Sequence, residues 1–265
     1  SITNSMGRQS EVFLHLNAAL ALDEQYSSQR EIGHAFCNLG YVHIKREEYD
    51  QAEKHLRQAL DLADRIGDVP LRTVIFSNKG EIAACNGKLE EAEDWYKKAL
   101  ALQVNYVKDN VYMTLWNAAL AIILQEQGKQ EDAVACIVRA LRIGRATKDL
   151  PSLGVALVAL GTVRIIQARA THALLLKGRL RLLKRARKDA ERALTLPERV
   201  AETRPRPELE AETRTRAHLV LAQASFLLDE KERARSEIEL VVSEAQNYGL
   251  TLVEKQARQL LAQLV

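Results

Sequence analysis

Apolar and small residues recur along this chain at two superposed spacings. The shorter is helical: Phe36 and Leu39, then Leu56, Ala59 and Leu60, lie three or four residues apart and share one face of a helix, with polar residues between them. The longer is about forty residues. Asn38-Leu39-Gly40, Ala52 and Ala59-Leu60 return as Asn78-Lys79-Gly80, Ala92 and Ala99-Leu100, and again in degenerate form as Ala119-Leu120-Ala121, Ala133 and Ala140-Leu141. A period of about 20 to 50 residues marks units that cannot bury their apolar faces alone and must stack, so the chain reads as an array.

Each unit reads as two antiparallel helices. The clearest predicts a first helix over Arg30 to Arg46 and a second over Tyr49 to Ile66, with Gly40 and Ala52 letting the two backbones approach and the polar turn Lys45-Arg46-Glu47-Glu48 joining them. The next repeats this with Phe76, Gly80, Ala92, Trp95, Tyr96 and Ala99 around a turn at Gly87. A third uses Leu120, Ala121, Leu124, Ala133, Ile137 and Ala140 around Gly128. The links Gly67-Asp68-Val69-Pro70 and Asp149-Leu150-Pro151 put proline at the start of a first helix, where its missing N–H costs nothing. Trp95 and Trp116 fall at packing positions. Gln9 to Tyr26 aligns with a second helix whose partner is missing, and Leu250 to Leu264 reads as a lone helix covering the last full unit, Arg206 to Tyr248. The expectation is one array over residues 1–265, cut from a larger protein.

Leu39-Gly40, Tyr49, Ala52, Leu56 and Ala59, followed by Gly80, Leu89, Ala92, Tyr96 and Ala99, resemble the tetratricopeptide repeat. The match is strong over Arg30 to Leu102 and loose beyond it; a forty-residue unit is longer than the family's usual 34. Long units joined by a link such as Ile66-Gly67-Asp68 look most similar to the sensor regions of bacterial STAND signalling ATPases and transcription regulators, and kinesin light chains also use long units. The resemblance implies an all-α, right-handed superhelical α-solenoid of antiparallel helix pairs, with the first helix of each pair lining a concave groove where ligands sit.

Equivalent offsets in those first helices give the candidate groove residues. They are His34, Asn38 and Tyr41 in one unit, with Cys37 and Lys45; then Asn78 and Glu81, with Ser77 and Cys85. Further along come Leu115, Ala118 and Ile122, then Val155, Val158 and Thr162, then Arg216 and Gln223. The sequence of offsets runs from polar to apolar, which suits a ligand with an apolar part oriented by hydrogen bonds from Asn38, Asn78, Tyr41 and Arg216. Two alternatives stand beside this: the apolar positions pack against neighbouring first helices, and the two asparagines make structural bonds between units.

One place breaks the period. Gly161 precedes its alanine triplet, Ala186, Ala190 and Ala193, by 25 residues where Gly40 precedes Ala52 by 12. With only Lys177-Gly178 as a breaker near the middle, the thirteen extra residues predict a hairpin around 165–195 whose helices each lengthen by six or seven residues, projecting about 10 Å. Its tip interleaves leucines, Leu174, Leu175, Leu176, Leu180, Leu182 and Leu183, with Lys177, Arg179, Arg181, Lys184, Arg185, Arg187 and Lys188.

Charge sharpens that feature. The chain carries only +3, yet Arg164 to Arg192 holds ten bases against two acids, leaving the remainder net acidic. The block reads either as a solvated face or as a docking knob for an acidic partner. Nucleic acid is disfavoured because the block has no aromatics and its surroundings are acidic. Five prolines, twelve glycines and few aromatics favour helix nearly everywhere. Cys37, Cys85 and Cys136 are too far apart for a zinc or disulfide framework, and no signal peptide or long apolar run is read, so the expectation is a cytoplasmic protein without a membrane span.

Signatures of catalysis are missing from the sequence: it holds no phosphate-binding glycine motif, no G-x-S-x-G and no H-E-x-x-H, and its six histidines do not converge by spacing. No enzyme, metal or cofactor is expected. The function expected is a sensing module of a larger STAND-like regulator that binds a small molecule, peptide or protein in its groove and signals to an effector or ATPase domain. The alternative is a constitutive scaffold that docks one partner through the groove or the basic hairpin.

Overall fold

The computed structural model describes residues 29–106, 111–171, 176–196 and 207–264. Every regular element among them is a helix: α1 (Gln29–Lys45), α2 (Tyr49–Ile66), α3 (Val69–Cys85), α4 (Leu89–Tyr106), α5 (Val111–Glu126), α6 (Gln130–Ala146), α7 (Leu150–Ala170), α8 (Leu176–Leu194), α9 (Pro207–Leu227), α10 (Lys231–Tyr248) and α11 (Thr251–Ala262). The helix expected at Gln9 to Tyr26 lies outside the described residues, as do Leu174 and Leu175.

Consecutive helices pack in pairs, α1 with α2 through α9 with α10, and α11 closes against α10. This is a tetratricopeptide-like α-solenoid. The helices fall into two compact units, residues 1–109 and 110–265. In the first, α3 packs on both α1 and α2; in the second, α7 packs on α5 and α6, and α9 on α7 and α8. Each hairpin is built on the small residues that the repeat singles out. A Cβ on Gly40 would stand 2.8 Å from Leu56, and one on Gly161 would stand 2.9 Å from Val220 and 3.4 Å from the Ala186 carbonyl, so any larger residue would force these neighbours to shift. Leu56, Ala52, Ala59 and Ala63 are fully buried against α1 and α3, while Leu183, Ala186 and Ala190 hold the same place between α7 and α9.

The links are built by buried aspartates. Asp68 accepts from the Leu71 N–H at 3.0 Å and Asp149 from the Ser152 N–H at 3.2 Å, satisfying an otherwise orphaned donor at the start of α3 and α7 beside the expected prolines.

The long hairpin is extended, but unevenly. Past Gly161, α7 runs nine residues where α1 runs five past Gly40; α8 begins ten residues before Ala186 where α2 begins three before Ala52. The first helix therefore gains four residues and the described part of the second seven, in place of an equal lengthening, and residues 172–175 between them lie outside the described residues. Gly178 is not at the tip. It sits in the first turn of α8 with open space around it, so it disturbs nothing. By length and composition α7 could cross a membrane, and half of its apolar stretch is buried here among α5, α6, α8 and α9.

Candidate functional site

In the first unit, His34, Asn38, Tyr41 and Lys45 recur at four- and three-residue steps along α1 and so share one face. His34, Asn38 and Tyr41 are exposed; Lys45 is half-buried because it reaches α3, where its ammonium meets Glu81 at 2.9 Å. The same ammonium lies 4.9 Å from the centre of the Tyr41 ring, close enough for a cation–π contact that holds the phenol in place. At the end of α1 nearer its start, Arg30 donates to Asp68 at 2.7 Å, with the His34 ring 3.9 Å from the same carboxylate. The face is thus pinned at both ends to the α3 side, with Tyr41 held beside Lys45.

Asn78 lies elsewhere. It is buried and its amide donates to Cys37 Sγ at 3.6 Å, a rung inside the α1–α3 seam. Burial pushes the Cys37 thiol up to about 12, and the Asn78 bond offsets only part of that. The thiol is therefore protonated at neutral pH and is no nucleophile. Burial likewise raises Tyr49, with Cys85 adding to the effect.

Within the second unit the predicted positions divide. Ala118 and Val158 are buried, Val158 in the cluster that α7 forms with α8 and α9. Leu115, Ile122, Val155 and Thr162 are half-buried, giving α5 and α7 a partly open apolar band. Thr162 spends its hydroxyl on the Val158 carbonyl at 3.0 Å. Where the two helices end, Gln167 donates to Gln125 at 3.0 Å, a rung that closes the band. On α9, Arg216 pairs with Glu212 one turn earlier, and Gln223 is half-buried.

The basic hairpin separates too. Arg187 is half-buried and held by Glu230 at 2.5 Å, with Ser225 Oγ at 3.5 Å, so it ties α8 to the α9–α10 turn. Arg179 is half-buried. Lys177, Arg181, Lys184, Arg185 and Lys188 are exposed. Both acids of α8 are engaged by bases from other helices: Asp189 by Arg164 of α7, and Glu191 by Arg233 of α10.

A structural bond between units was one of the two readings open at Asn78, but the partners in the inter-helix rungs were not visible in the sequence. Gln125 to Gln167, Arg187 to Glu230 and Asn78 to Cys37 join residues 42, 43 and 41 apart, one full repeat, and the spacing of a single unit carries no trace of them. Among the described residues, no group of three or more His, Cys, Asp or Glu is placed to hold a metal ion.

Comparison with known proteins agrees with the geometry. Residues 31–103, covering α1 to α3 and most of α4, match the tetratricopeptide repeat family model. No curated protein sequence matches the chain. Among solved structures, BtubC (BKLC) from P. vanneervenii is similar at a TM-score of 0.55 and 17% identity, over 92% of this chain and 91% of that one. A STAND protein with a tetratricopeptide repeat sensor, PH0952 from Pyrococcus horikoshii, is similar at a TM-score of 0.57 and 12% identity, over 92% of this chain and 39% of that one. These likenesses are of fold.

Proposed function

We propose that this chain is a non-catalytic sensing module of a STAND-like signalling regulator, binding its ligand on the exposed face of the first helices. The tetratricopeptide repeats themselves indicate a protein- or peptide-binding module. The observation that carries the finer reading is the α1 face, where His34, Asn38 and Tyr41 stand exposed between two inter-helix ion pairs, Arg30 to Asp68 and Lys45 to Glu81. A helix already braced to its neighbour at both ends presents its exposed groups at less ordering cost on binding. An extended peptide suits this face, since Asn38 can both donate to and accept from a peptide backbone and Tyr41 offers an apolar ring beside it. The half-open band of Leu115, Ile122 and Val155 offers a separate apolar contact for a side chain or small molecule. The sensor role is carried over from the STAND protein, whose repeats are a sensor.

Selection of peptides from a displayed random library against the whole chain tests the site. Binders are expected to lose at least about tenfold affinity on Tyr41→Ala or Asn38→Ala, with helicity unchanged. Selected peptides that bind both variants as well as the parent would remove this face from the site. Sensing adds a second requirement: a ligand shifts a conformational equilibrium only by its difference in affinity for the two states. Saturating ligand should therefore change small-angle scattering of the chain; an unchanged profile would leave a constitutive scaffold.

A further inference from the structure

Four of the second helices begin with an acid in their first turn: Asp50 in α2, Glu90 and Glu91 in α4, Glu131 and Asp132 in α6, Glu232 in α10. That sign suits the positive end of the helix dipole. The exception is α8, which has no acid there and presents Lys177 instead. Its outer face continues in the same sense through Arg181, Lys184, Arg185 and Lys188, all exposed. Among the described residues no carboxylate forms an ion pair with Lys177, Arg181, Lys184 or Lys188, and the two acids of α8, Asp189 and Glu191, are engaged by Arg164 and Arg233. Two leucines border this face. Leu176 is 57% exposed and Leu180 36%, one helical turn apart, at the outer end of the apolar stripe that is buried further along α8 at Leu183, Ala186 and Ala190.

We propose that the outer face of α8 from Leu176 to Lys188 is a docking surface for an acidic amphipathic helix of a partner protein. Charge complementarity fixes the sign of that partner. The leucine pair fixes its form: two apolar side chains one turn apart accept an apolar pair at the same spacing on a second helix, and a row of cations about 16 Å long lies beside them to meet its carboxylates. A lipid surface fits less well, because α8 has no apolar face left to lie in it beyond two leucines. Single-stranded nucleic acid fits less well because α8 offers no aromatic ring for a base to stack on. The surface shares no residue with the α1 face, so either reading can fail without the other.

The test uses the whole chain and a fluorescein-labelled synthetic helix of glutamates with leucine pairs one turn apart, read by anisotropy at low salt. A scrambled peptide of the same composition, vesicles of phosphatidylcholine with phosphatidylserine, and an oligothymidylate are the other arms. The patterned peptide should bind, and binding should weaken at least about tenfold in Lys177→Gln/Arg181→Gln/Lys184→Gln/Lys188→Gln, and several-fold in Leu176→Ser/Leu180→Ser, with far-UV circular dichroism unchanged. Reversing the same four cations to glutamate should transfer binding to a peptide with lysines in place of glutamates. The proposal is overturned if the patterned peptide does not bind, if both variants bind it like the parent, if the scrambled peptide binds equally, or if only vesicles or oligonucleotide bind.

Discussion

The α1–α2 and α7–α8 hairpins share one interior and have opposite exteriors. In both, a glycine of the first helix lies against a neighbouring side chain and a fully buried leucine of the second helix fills the seam, Leu56 in one and Leu183 in the other. Outside, α2 mixes signs, with Arg65 paired to Asp61 one turn earlier, whereas α8 presents one sign from Lys177 to Lys188. The interior is constrained by packing at close contact, and the exterior is constrained by nothing in the unit itself. Function in such an array is therefore sought where one unit's exterior departs from the others.

The largest expected effect tests the shared interior. Leu56→Ala and Leu183→Ala should each destabilise by about 2–5 kcal/mol, the cost of lost burial plus a cavity. Chemical denaturation of the two variants measures it. A cost near zero at Leu183 would mean that the long hairpin is not packed as the short one is, and the comparison would collapse.

Glycines give a smaller and more pointed contrast. Gly161→Ala should cost about 1–3 kcal/mol through overpacking against Val220, which stands 2.9 Å from the new Cβ. Gly178→Ala meets nothing within 4 Å and should stabilise α8 by up to about 1 kcal/mol. A loss at Gly178 would return that residue to a turn at the hairpin tip.

These two glycines also show what the sequence made legible. The repeat placed α2 at Tyr49–Ile66, matching the structure residue for residue, and identified Gly40, Gly80 and Gly161 as crossing points, because close approach leaves a compositional mark. It also counted the extra residues of the long hairpin. It misassigned their distribution, since a lone glycine looks like a breaker in sequence yet costs little in the first turn of a helix. Asn78 and Arg187 belong to the same lesson. Asn78 suited either a ligand or a structural bond between units, and Arg187 either a partner or solvent, and the groups that decide between these, Cys37 and Glu230, lie in adjacent repeats and leave no local pattern.

Acid should separate the hairpins by sign. His55 is stacked between Phe36 and His43, at ring distances of 5.9 and 5.2 Å, and burial first and the His43 charge next lower it below its ordinary 6.5, with Lys54 in the same sense and Gln58 opposing. The unfolded chain then binds the proton more readily, so stability from His55 is present above pH 6.5 and is lost as pH falls through its folded value. Asp189 is raised above its ordinary 3.8 by burial, against the pull of Arg164, Arg192 and Arg185, so the folded state takes up that proton first and gains from acidification in that window. Hydrogen exchange at pH 7 and pH 5, corrected for intrinsic rates, should show protection falling several-fold in α1–α2 while α7–α8 holds. His55→Phe, which keeps the stack, should abolish the fall; a fall of equal size in the variant would assign the acid response to other groups.

The smallest effect addresses the exteriors directly. At the start of α2, Asp50 sits where the helix dipole favours an anion; at the start of α8, Lys177 sits where it is disfavoured. Exchanging the signs should therefore move the two hairpins in opposite directions: Asp50→Lys should cost about 0.3–1 kcal/mol, and Lys177→Glu should stabilise by about the same amount at low salt, both shrinking as salt is added. If the docking surface is real, Lys177→Glu also weakens the acidic helix while making the hairpin itself more stable. Stability and binding that move in opposite directions at one residue identify a cation placed for a partner, since a merely solvated lysine changes the first quantity and leaves the second alone. Thermal melts of the two single variants beside peptide titrations of Lys177→Glu read both, and a Lys177→Glu chain that is no more stable than the parent removes the dipole argument for α8.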